Sequence, residues 1–551
     1  MNRHDRRAVL KVLRRTRLLD NIDAHLNSSP GPDSSITTET VLFALIATAG
    51  TAGGIAARLD RATGVLRRLQ PDVWADLRLP DDLPFADDHP ARPDDPERRR
   101  VLNRRLYQRF HDKLERIGQW MMLKTDGVYN AARLADALIT ASLPKHARQY
   151  NSLVFDSAPV KAAEYRWHES RDGRPPTPKF GPSLRIRDDE PRSDKNHFGY
   201  QLTTMLRVDP TSEDPTPWIG GIELSTGATA ESVAANRLID LAAHTTPVLD
   251  LVIADRGYTN KTSLAAKVHA MHGDLVMDLD RNQHNKVVEM DCGAINMSGA
   301  AYDPALPTRL RHYPRRTVQD PVNEYLTERE RLLGPYLLKM HTPPDVHSNH
   351  RLQGACQRQT VRCTQHPRLA PPGRMLLPVT APDRAGDLPI CTQTTVAVSR
   401  DDYTAKKSGA KRVDDRMDLW QPLPYGTWEW AQVYMPWRSR IEGVLGTLTE
   451  HHGLWGGRHG FKTRKHPTLI LFAIAAAVAF NLTRQGAFTP DHGTLDCRDD
   501  AQLDPPREAR DRVKRLLARR SKQRQNINPA TCGPNCAPVT VNGGGADPPA
   551  N

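Results

Sequence analysis

The chain has 551 residues, with 77 Lys and Arg against 64 Asp and Glu, a formal net charge of +13 and a pI near 9.4. This length allows two to four domains of about 100 to 200 residues, and the charge favours a polyanion such as nucleic acid over an acidic small molecule, although a merely basic soluble protein fits equally. Seven scattered cysteines exclude a secreted disulfide framework, and the charged start lacks the apolar core of a signal peptide, so we expect a cytoplasmic protein.

Residues 1–150 are predicted to form a helical region. Apolar residues recur at helical spacing in 9–19, 40–49, 55–69, 99–123 and 131–143, and a Pro- and Asp-rich stretch at 80–96 interrupts them. The glycine-containing turn at 50–54 lies between two of these helices and is consistent with a helix-turn-helix, although two short helices joined by glycine are more often simply packed together. We expect an N-terminal DNA-binding region here.

The pattern changes to strands at residue 151. Strands are predicted at 153–156, 198–208 and 218–224, followed by a helix at 230–243 and a strand that ends at Asp255. A second helix at 261–272 and a short strand at 275–279 complete this part. The order indicates an α/β domain, of which 151–282 is the first part.

Residues 283–425 interrupt this regular pattern with many prolines and isolated strand signals, which predicts an inserted domain of unassigned fold. Regularity returns at 426–485, with a helix at 428–450 and an apolar helix at 469–480. The apolar run is shorter than the roughly 20 residues of a membrane-spanning helix, so we expect a buried core helix and no membrane association. Residues 486–551 are predicted to be a basic and disordered tail, in which 507–524 either binds nucleic-acid backbone or forms a solvated charged helix.

Three acidic residues stand in related settings. Asp156 ends the apolar strand at 153–156, and Asp255 follows the apolar run Leu251-Val-Ile-Ala254 just before a glycine turn. Glu442 lies four residues after Arg438, so the two share a helix face. Taken singly, a strand-end carboxylate is more often a helix cap and Arg438 with Glu442 an exposed ion pair.

Together the three acids match the layout of the RNase H-like fold, and the chain resembles the DDE transposases of bacterial insertion sequences. The resemblance is to the branch with a Tyr, Arg, Glu, Lys signature. It implies an α/β, RNase H-like catalytic domain with a mixed sheet, interrupted by an insertion before the catalytic helix. The matching segments are Phe155-Asp-Ser157, Lys195-Asn-His-Phe-Gly-Tyr-Gln-Leu202, Ala254-Asp-Arg-Gly-Tyr258 and Arg438-Ser-Arg-Ile-Glu442.

The resemblance also implies a reaction. Asp156, Asp255 and Glu442 would be the catalytic residues and the ligands of two Mg²⁺ or Mn²⁺ ions, with Asp156 bridging the pair. Carboxylates are the hard oxygen ligands that Mg²⁺ prefers, and two ions can activate an attacking oxygen and stabilise a leaving one. The expected function is DNA cleavage at the ends of the element and strand transfer into target DNA. Double-stranded DNA would be the partner, bound by a homo-oligomer.

Four residues are candidate DNA contacts, namely Arg438, Tyr434, Lys195 and Arg256. The signature is imperfect, because three residues rather than two separate Tyr434 from Arg438 and Thr449 stands in place of the signature Lys. The alternative is therefore a catalytically inactive, repurposed DNA-binding protein derived from a transposase. A zinc site at Cys356, Cys363 and His366 has non-standard spacing and competes with free thiols.

Overall fold

A computed structural model describes the chain. The residues it describes are 3–27, 36–50, 59–69, 71–77, 95–161, 183–185, 197–212, 216–227, 229–258, 262–279, 281–284, 286–290, 294–303, 306–317, 319–342, 349–353, 395–399, 404–406, 416–418, 420–452, 454, 466–488 and 503–525.

The N-terminal region is helical, as predicted. Its central helix is α3, nearly all of whose residues are buried. The predicted single helix at 9–19 is wrong, because α1 ends at Arg15 and α2 begins at Leu18, with the Thr16 hydroxyl bonded to the Val12 carbonyl between them. The predicted helix-turn-helix depends on residues 51–58, which lie outside the described ranges. The elements are α1 (Arg3–Arg15), α2 (Leu18–Asn27), α3 (Thr38–Gly50), α4 (Leu59–Arg67), α5 (Pro71–Asp76), α6 (Pro96–Met121), β1 (Lys124–Thr125), β2 (Val128–Tyr129) and α7 (Asn130–Ser142).

A six-stranded mixed sheet follows. It consists of β3 (Ser152–Lys161), β4 (Ser183–Arg185), β5 (His197–Val208), β6 (Trp218–Thr226), β7 (Leu251–Ala254) and β8 (Asp274–Met277). Strand β5 pairs antiparallel with β3, β4 and β6, whereas β3, β7 and β8 run parallel. Two helices, α8 (Glu231–Ala243) and α9 (Thr262–Ala270), connect the later strands. The mixed α/β architecture predicted from the sequence is confirmed.

Alternation along the strands divides their side chains between two cores. Leu153, Phe155 and Val252 pack in the core that contains α8 and α9. Val154 and Ile253 belong to the larger core, which includes the N-terminal helices and two helices late in the chain, α12 (Trp428–Gly446) and α13 (His466–Arg484). Asp156 and Asp255 share the parity of Val154 and Ile253, so the alternation directs both carboxylates towards α12.

Strand β3 does not end at Asp156 as predicted. It continues for five residues to Lys161, because β5 supplies an antiparallel partner along the whole length of β3. The parallel partner β7 is shorter and pairs only as far as Phe155 with Ala254. Asp156 therefore lies where the neighbouring strand ends, although its own strand goes on.

Short elements occupy the described parts of 281–418. A hydrophobic cluster in this part of the chain contains Ile295, Met297, Tyr302, Leu306 and Leu333. The elements are α10 (Arg281–His284), β9 (Val287–Glu289), β10 (Ile295–Met297), β11 (Ala300–Tyr302), α11 (Val322–Leu333), β12 (Lys339–Thr342), β13 (Asn349–Gln353), β14 (Thr395–Ser399), β15 (Thr404–Lys406) and β16 (Arg416–Asp418). The strands form two antiparallel three-stranded sheets, β11-β10-β9 and β12-β13-β14, and one antiparallel pair, β15 with β16.

Helix α13 is long and apolar enough, by composition alone, to cross a membrane. It is nevertheless mostly buried inside the protein, as the prediction of a core helix required. The basic helix α14 (Arg507–Gln525) contacts α12, and its Arg512 contacts Glu429. Its Ala509, Val513 and Leu517 are buried in the larger core.

Candidate active site

The two aspartates lie side by side at the carboxyl end of β7. Asp255 is the first residue after this strand, and Asp156 lies on β3 one residue beyond the Phe155–Ala254 pair. Ends of adjacent parallel strands meet at one edge of a sheet, where α/β proteins place their functional groups. The sequence predicted Asp255 correctly at this edge.

Backbone N–H groups orient both carboxylates in the same way. The Ser157 N–H donates to Asp156 Oδ1 at 2.8 Å, and the Arg256 N–H donates to Asp255 Oδ1 at 2.6 Å. With Oδ1 held by the next residue of its own chain, each carboxylate turns Oδ2 towards α12. This shared arrangement leaves one oxygen of each aspartate for a cation.

Helix α12 supplies the other two residues of the site. Arg438 Nη1 lies 3.1 Å from Asp156 Oδ2, and Arg438 Nη2 lies 3.4 Å from Asp255 Oδ2 and 2.8 Å from Glu442 Oε1. The helix begins with the Thr427 side chain accepting from the Trp430 N–H, which caps it. Pro436 lies within this helix. All three predicted acids thus surround one guanidinium.

Burial and the neighbouring charges shift the pKa values of Asp156 and Arg438. Burial raises the pKa of the Asp156 carboxyl to about 6, although Arg438 and the Ser157 N–H oppose the shift. Burial acts to lower the pKa of Arg438, but Asp156, Asp255 and Glu442 outweigh it and raise that pKa further above its ordinary value. The cluster therefore contains a carboxylate whose ionisation is disfavoured, Asp156, and a guanidinium whose positive charge is stabilised, Arg438.

Two further acids border the site, and neither was predicted from the sequence. Glu231, the first residue of α8, lies against Gly257, and its charge adds to the rise in the pKa of Asp156. Asp278 follows β8 as Asp255 follows β7, and it pairs with Arg315 at 2.7 Å. The signal for Asp278 was the apolar run Leu275-Val-Met277 before it, which is the pattern that identified Asp255.

A cavity of about 770 Å³ opens beside the acids. Its lining combines carboxylates, arginines and aromatic rings, which suits a ligand with both phosphate and flat apolar parts. The lining includes Asp255, Glu442, Asp278, Arg256, Arg315, Arg438, Arg440, Tyr325, Tyr425, Trp430 and Tyr434.

The candidate DNA contacts have different settings. Arg438 lies at the centre of the acids, and Arg256 is exposed at the cavity. Tyr434 also lines the cavity but is only 6 % exposed, with its ring stacked on Trp430 at 4.6 Å between centroids. Lys195 lies outside the described residues, as do the cysteines and the histidine of the zinc hypothesis.

Thr449 stands where the resemblance would place the signature Lys. It is buried, and its hydroxyl donates to the Leu445 carbonyl at 2.7 Å. A neutral side chain bonded to its own helix offers no positive charge to a ligand.

The acids have the ligand chemistry of a divalent-cation site but are spaced around an arginine. Within the described ranges, no group of three or more His, Cys, Asp or Glu side chains is arranged to hold a metal ion. Carboxylate oxygens are the ligands that Mg²⁺ and Mn²⁺ prefer. Because the three carboxylates already converge on a cation, the residue types fit such an ion, whereas their spacing fits the guanidinium.

A comparison with protein families identifies the family of this chain. Residues 148–479 match the family described as the transposase DDE domain. The chain belongs to the DDE transposase family. The matched region begins before β3 and ends within α13, so it contains Asp156, Asp255 and Glu442 of this transposase. No curated protein matches the sequence.

Proposed function

We propose that the mixed sheet of this transposase is an RNase H-like catalytic core. The strand order β6-β5-β3-β7-β8, with β5 antiparallel to both neighbours and β7 and β8 parallel to β3, supports this assignment. Residues 151–282 and 426–485 would form the core, with 283–425 as an insertion before the glutamate-bearing helix. Residues 1–150 would be the DNA-binding region and 486–551 the basic tail.

The reaction that this site supports best is DNA cleavage at element ends, followed by strand transfer into target DNA. The observation that carries the proposal is the convergence of Asp156, Asp255 and Glu442 on one cationic group. In the proposed mechanism these three residues hold Mg²⁺ or Mn²⁺, which when bound supplies Lewis-acid activation of the attacking and leaving oxygens. The N–H groups of Ser157 and Arg256 keep each aspartate oriented for this role.

The DNA backbone would be bound partly by the start of α6. Arginines at 98, 99, 100, 104 and 105 are all exposed, and buried positions begin only at Leu106. Cations at the N-terminal end of a helix oppose its macrodipole, so helix stability does not explain their placement. Asp95 caps the helix and Glu97 lies in its first turn, which offset part of this charge. A concentrated positive end suits phosphates.

A cleavage assay tests the proposal. The substrate is a duplex that carries the terminal sequences flanking the coding region, with Mg²⁺ added or omitted. We expect cleavage only with Mg²⁺, and a loss of at least about 10³-fold in Asp255→Asn and Glu442→Gln, because each would remove a charged ligand. Glu450→Gln, an exposed change just beyond α12, is the matched control and should keep wild-type activity.

The second candidate is a repurposed DNA-binding protein without catalytic activity. The buried, uncharged Thr449 at the signature Lys position favours it. Duplex binding without cleavage in Mg²⁺ or Mn²⁺ would select this alternative. Cleavage that depends on Asp255 would reject it.

A further inference from the structure

Arg438 already contacts three acidic side chains in the free protein. Its side chain is 26 % exposed and touches three carboxylates, of which Asp156 is 12 % and Asp255 is 27 % exposed. Single arginines on exposed helix faces gain little from one ion pair. Here one cation partly neutralises three acids that would otherwise repel each other at the edge of the sheet.

The guanidinium of Arg438 offsets the charge of the acids, but it is poorly aligned for a hydrogen bond to Asp156. Arg438 Nη1 is buried and makes no hydrogen bond, even though Asp156 Oδ2 is 3.1 Å away, because the atoms are not aligned for donation. Hydrogen bonds of a guanidinium depend on direction, whereas a spherical ion has no such requirement.

We propose that Arg438 is an internal counter-ion of the acids, which DNA withdraws so that a divalent cation can take its place. The inference rests on the proposed function and adds a binding order, in which DNA binds first and the metal second. Arg438 would keep Asp156, Asp255 and Glu442 together in the free protein. Its guanidinium would move to a phosphate when DNA enters the adjoining cavity.

The chemistry of arginine favours this exchange. A guanidinium binds phosphate through two parallel N–H bonds, which recovers the donors that are poorly used against Asp156. Arg438 already lines the 770 Å³ cavity, so a phosphate bound there would lie beside its guanidinium. Metal and guanidinium would compete for the same carboxylate oxygens. DNA that withdraws the guanidinium would therefore raise the affinity for metal, and bound metal would raise the affinity for DNA by the same factor.

Metal binding without catalysis tests the exchange. Binding of Mn²⁺ to the full-length protein is measured by the electron paramagnetic resonance of free Mn²⁺, without DNA and with a duplex whose scissile linkages are uncleavable. We expect the duplex to raise the Mn²⁺ affinity of the wild type by about tenfold, within the usual range of such couplings. Arg438→Gln should show that higher affinity without DNA, and the duplex should add less than twofold.

The matched control is Arg440→Gln. Arg440 lies on the same helix, lines the same cavity and stacks over Trp437 at 5.0 Å, and its replacement should leave Mn²⁺ affinity within twofold of wild type. Arg438→Lys keeps a charge but cannot span three carboxylates, so its DNA-free affinity should be intermediate. Circular dichroism of each variant verifies folding, and Arg438→Lys carries the test if Arg438→Gln does not fold.

The outcomes separate this inference from the proposed function. If Mn²⁺ binds the wild type and Asp255→Asn abolishes binding, but Arg438→Gln and Arg438→Lys bind no more tightly, the counter-ion role is overturned and the metal site stands. If neither the wild type nor Arg438→Gln binds Mn²⁺ in either condition, the metal site itself fails and the inference fails with it.

Discussion

Gln421 uses its side-chain amide to complete both backbone hydrogen bonds of Met277. The Met277 N–H donates to Gln421 Oε1 at 2.9 Å, and Gln421 Nε2 donates to the Met277 carbonyl at 3.0 Å. The indole of Trp430 donates to the same carbonyl at 3.0 Å. The chain leading into α12 is therefore fastened to the last residue of β8, next to the site.

Asn481 makes a similar connection on β6. Its amide accepts from the Ile219 N–H at 3.0 Å and donates to the Ile219 carbonyl and the Ser142 hydroxyl, each at 2.9 Å. Helices α12 and α13 are thus each tied to a strand backbone, α13 by the Asn481 amide and α12 by the Trp430 indole and by Gln421 in the segment before it. Rigid attachment of α12 is what gives Glu442 a fixed place beside the aspartates.

Gln421→Leu should destabilise the fold measurably. The Met277 N–H would be buried without a partner, and an unsatisfied buried donor costs about 1 to 3 kcal/mol. We expect the free energy of unfolding, from urea titration, to fall by about 2 kcal/mol. Gln108→Leu is the control, since Gln108 is exposed on α6 and its amide donates to Asp112 at 3.2 Å; a change within about 0.5 kcal/mol is expected there. Equal effects of the two substitutions would contradict the fastening role.

The pH dependence of stability should reveal the buried Asp156. Its pKa of about 6 exceeds the ordinary 3.8, so the folded protein favours the protonated form. The contribution of this group is fully present below pH 3.8 and is lost as the pH rises through 6, a loss of about 3 kcal/mol. Asp156→Asn is neutral at every pH and lacks this loss. The free energy of unfolding of the variant, relative to wild type, should therefore increase by about 3 kcal/mol between about pH 4 and pH 7.5. A difference that stays constant with pH would refute the raised pKa.

The arginines at the start of α6 should contribute to the salt dependence of DNA binding. Replacing Arg98, Arg104 and Arg105 together by Gln should weaken binding to a generic duplex by about tenfold or more. The slope of log K against log salt should become shallower by about 0.9 for each phosphate that the variant no longer neutralises. Fluorescence anisotropy at several salt concentrations measures both quantities.

A triple change of equal charge provides the control. Arg510, Lys514 and Arg515 are exposed on α14, and their replacement by Gln removes the same three charges. We expect a smaller decrease in affinity and a smaller change of slope. If the two triple variants behave alike, net charge rather than the surface of α6 governs binding.

The sequence predicted the parts of the fold that local pattern determines. The run Leu251-Val-Ile-Ala254 was correctly assigned to a buried strand with Asp255 at its end, and the order of the main strands and helices was correct. Strand β3 was predicted too short, because its extension past Asp156 depends on β5, which begins only at His197. Pairing over such a distance leaves no periodic signal in β3 itself.

The arrangement of the candidate site could not be predicted from the sequence, although its residues were selected there. The sequence selected Asp156, Asp255, Glu442 and Arg438, yet it assigned Arg438 to DNA and did not place it among the acids. That position depends on how α12 crosses the sheet, which follows from tertiary packing. Asp278 was missed for a different reason, since the predicted strand at 275–279 included it and concealed its position after the strand end.

The most direct test of the central claim exchanges the ligand at Asp255. Asp255→Cys replaces a hard oxygen ligand by a soft thiolate, which binds Mn²⁺ or Cd²⁺ more readily than Mg²⁺. Asp278→Cys, at the equivalent position after β8, is the control and should show no change of metal preference. We predict that Asp255→Cys loses Mg²⁺-dependent cleavage of element-end DNA and regains part of it with Mn²⁺ or Cd²⁺. Cleavage by Asp255→Cys in Mg²⁺ at the wild-type rate would contradict the assignment of Asp255 as a metal ligand.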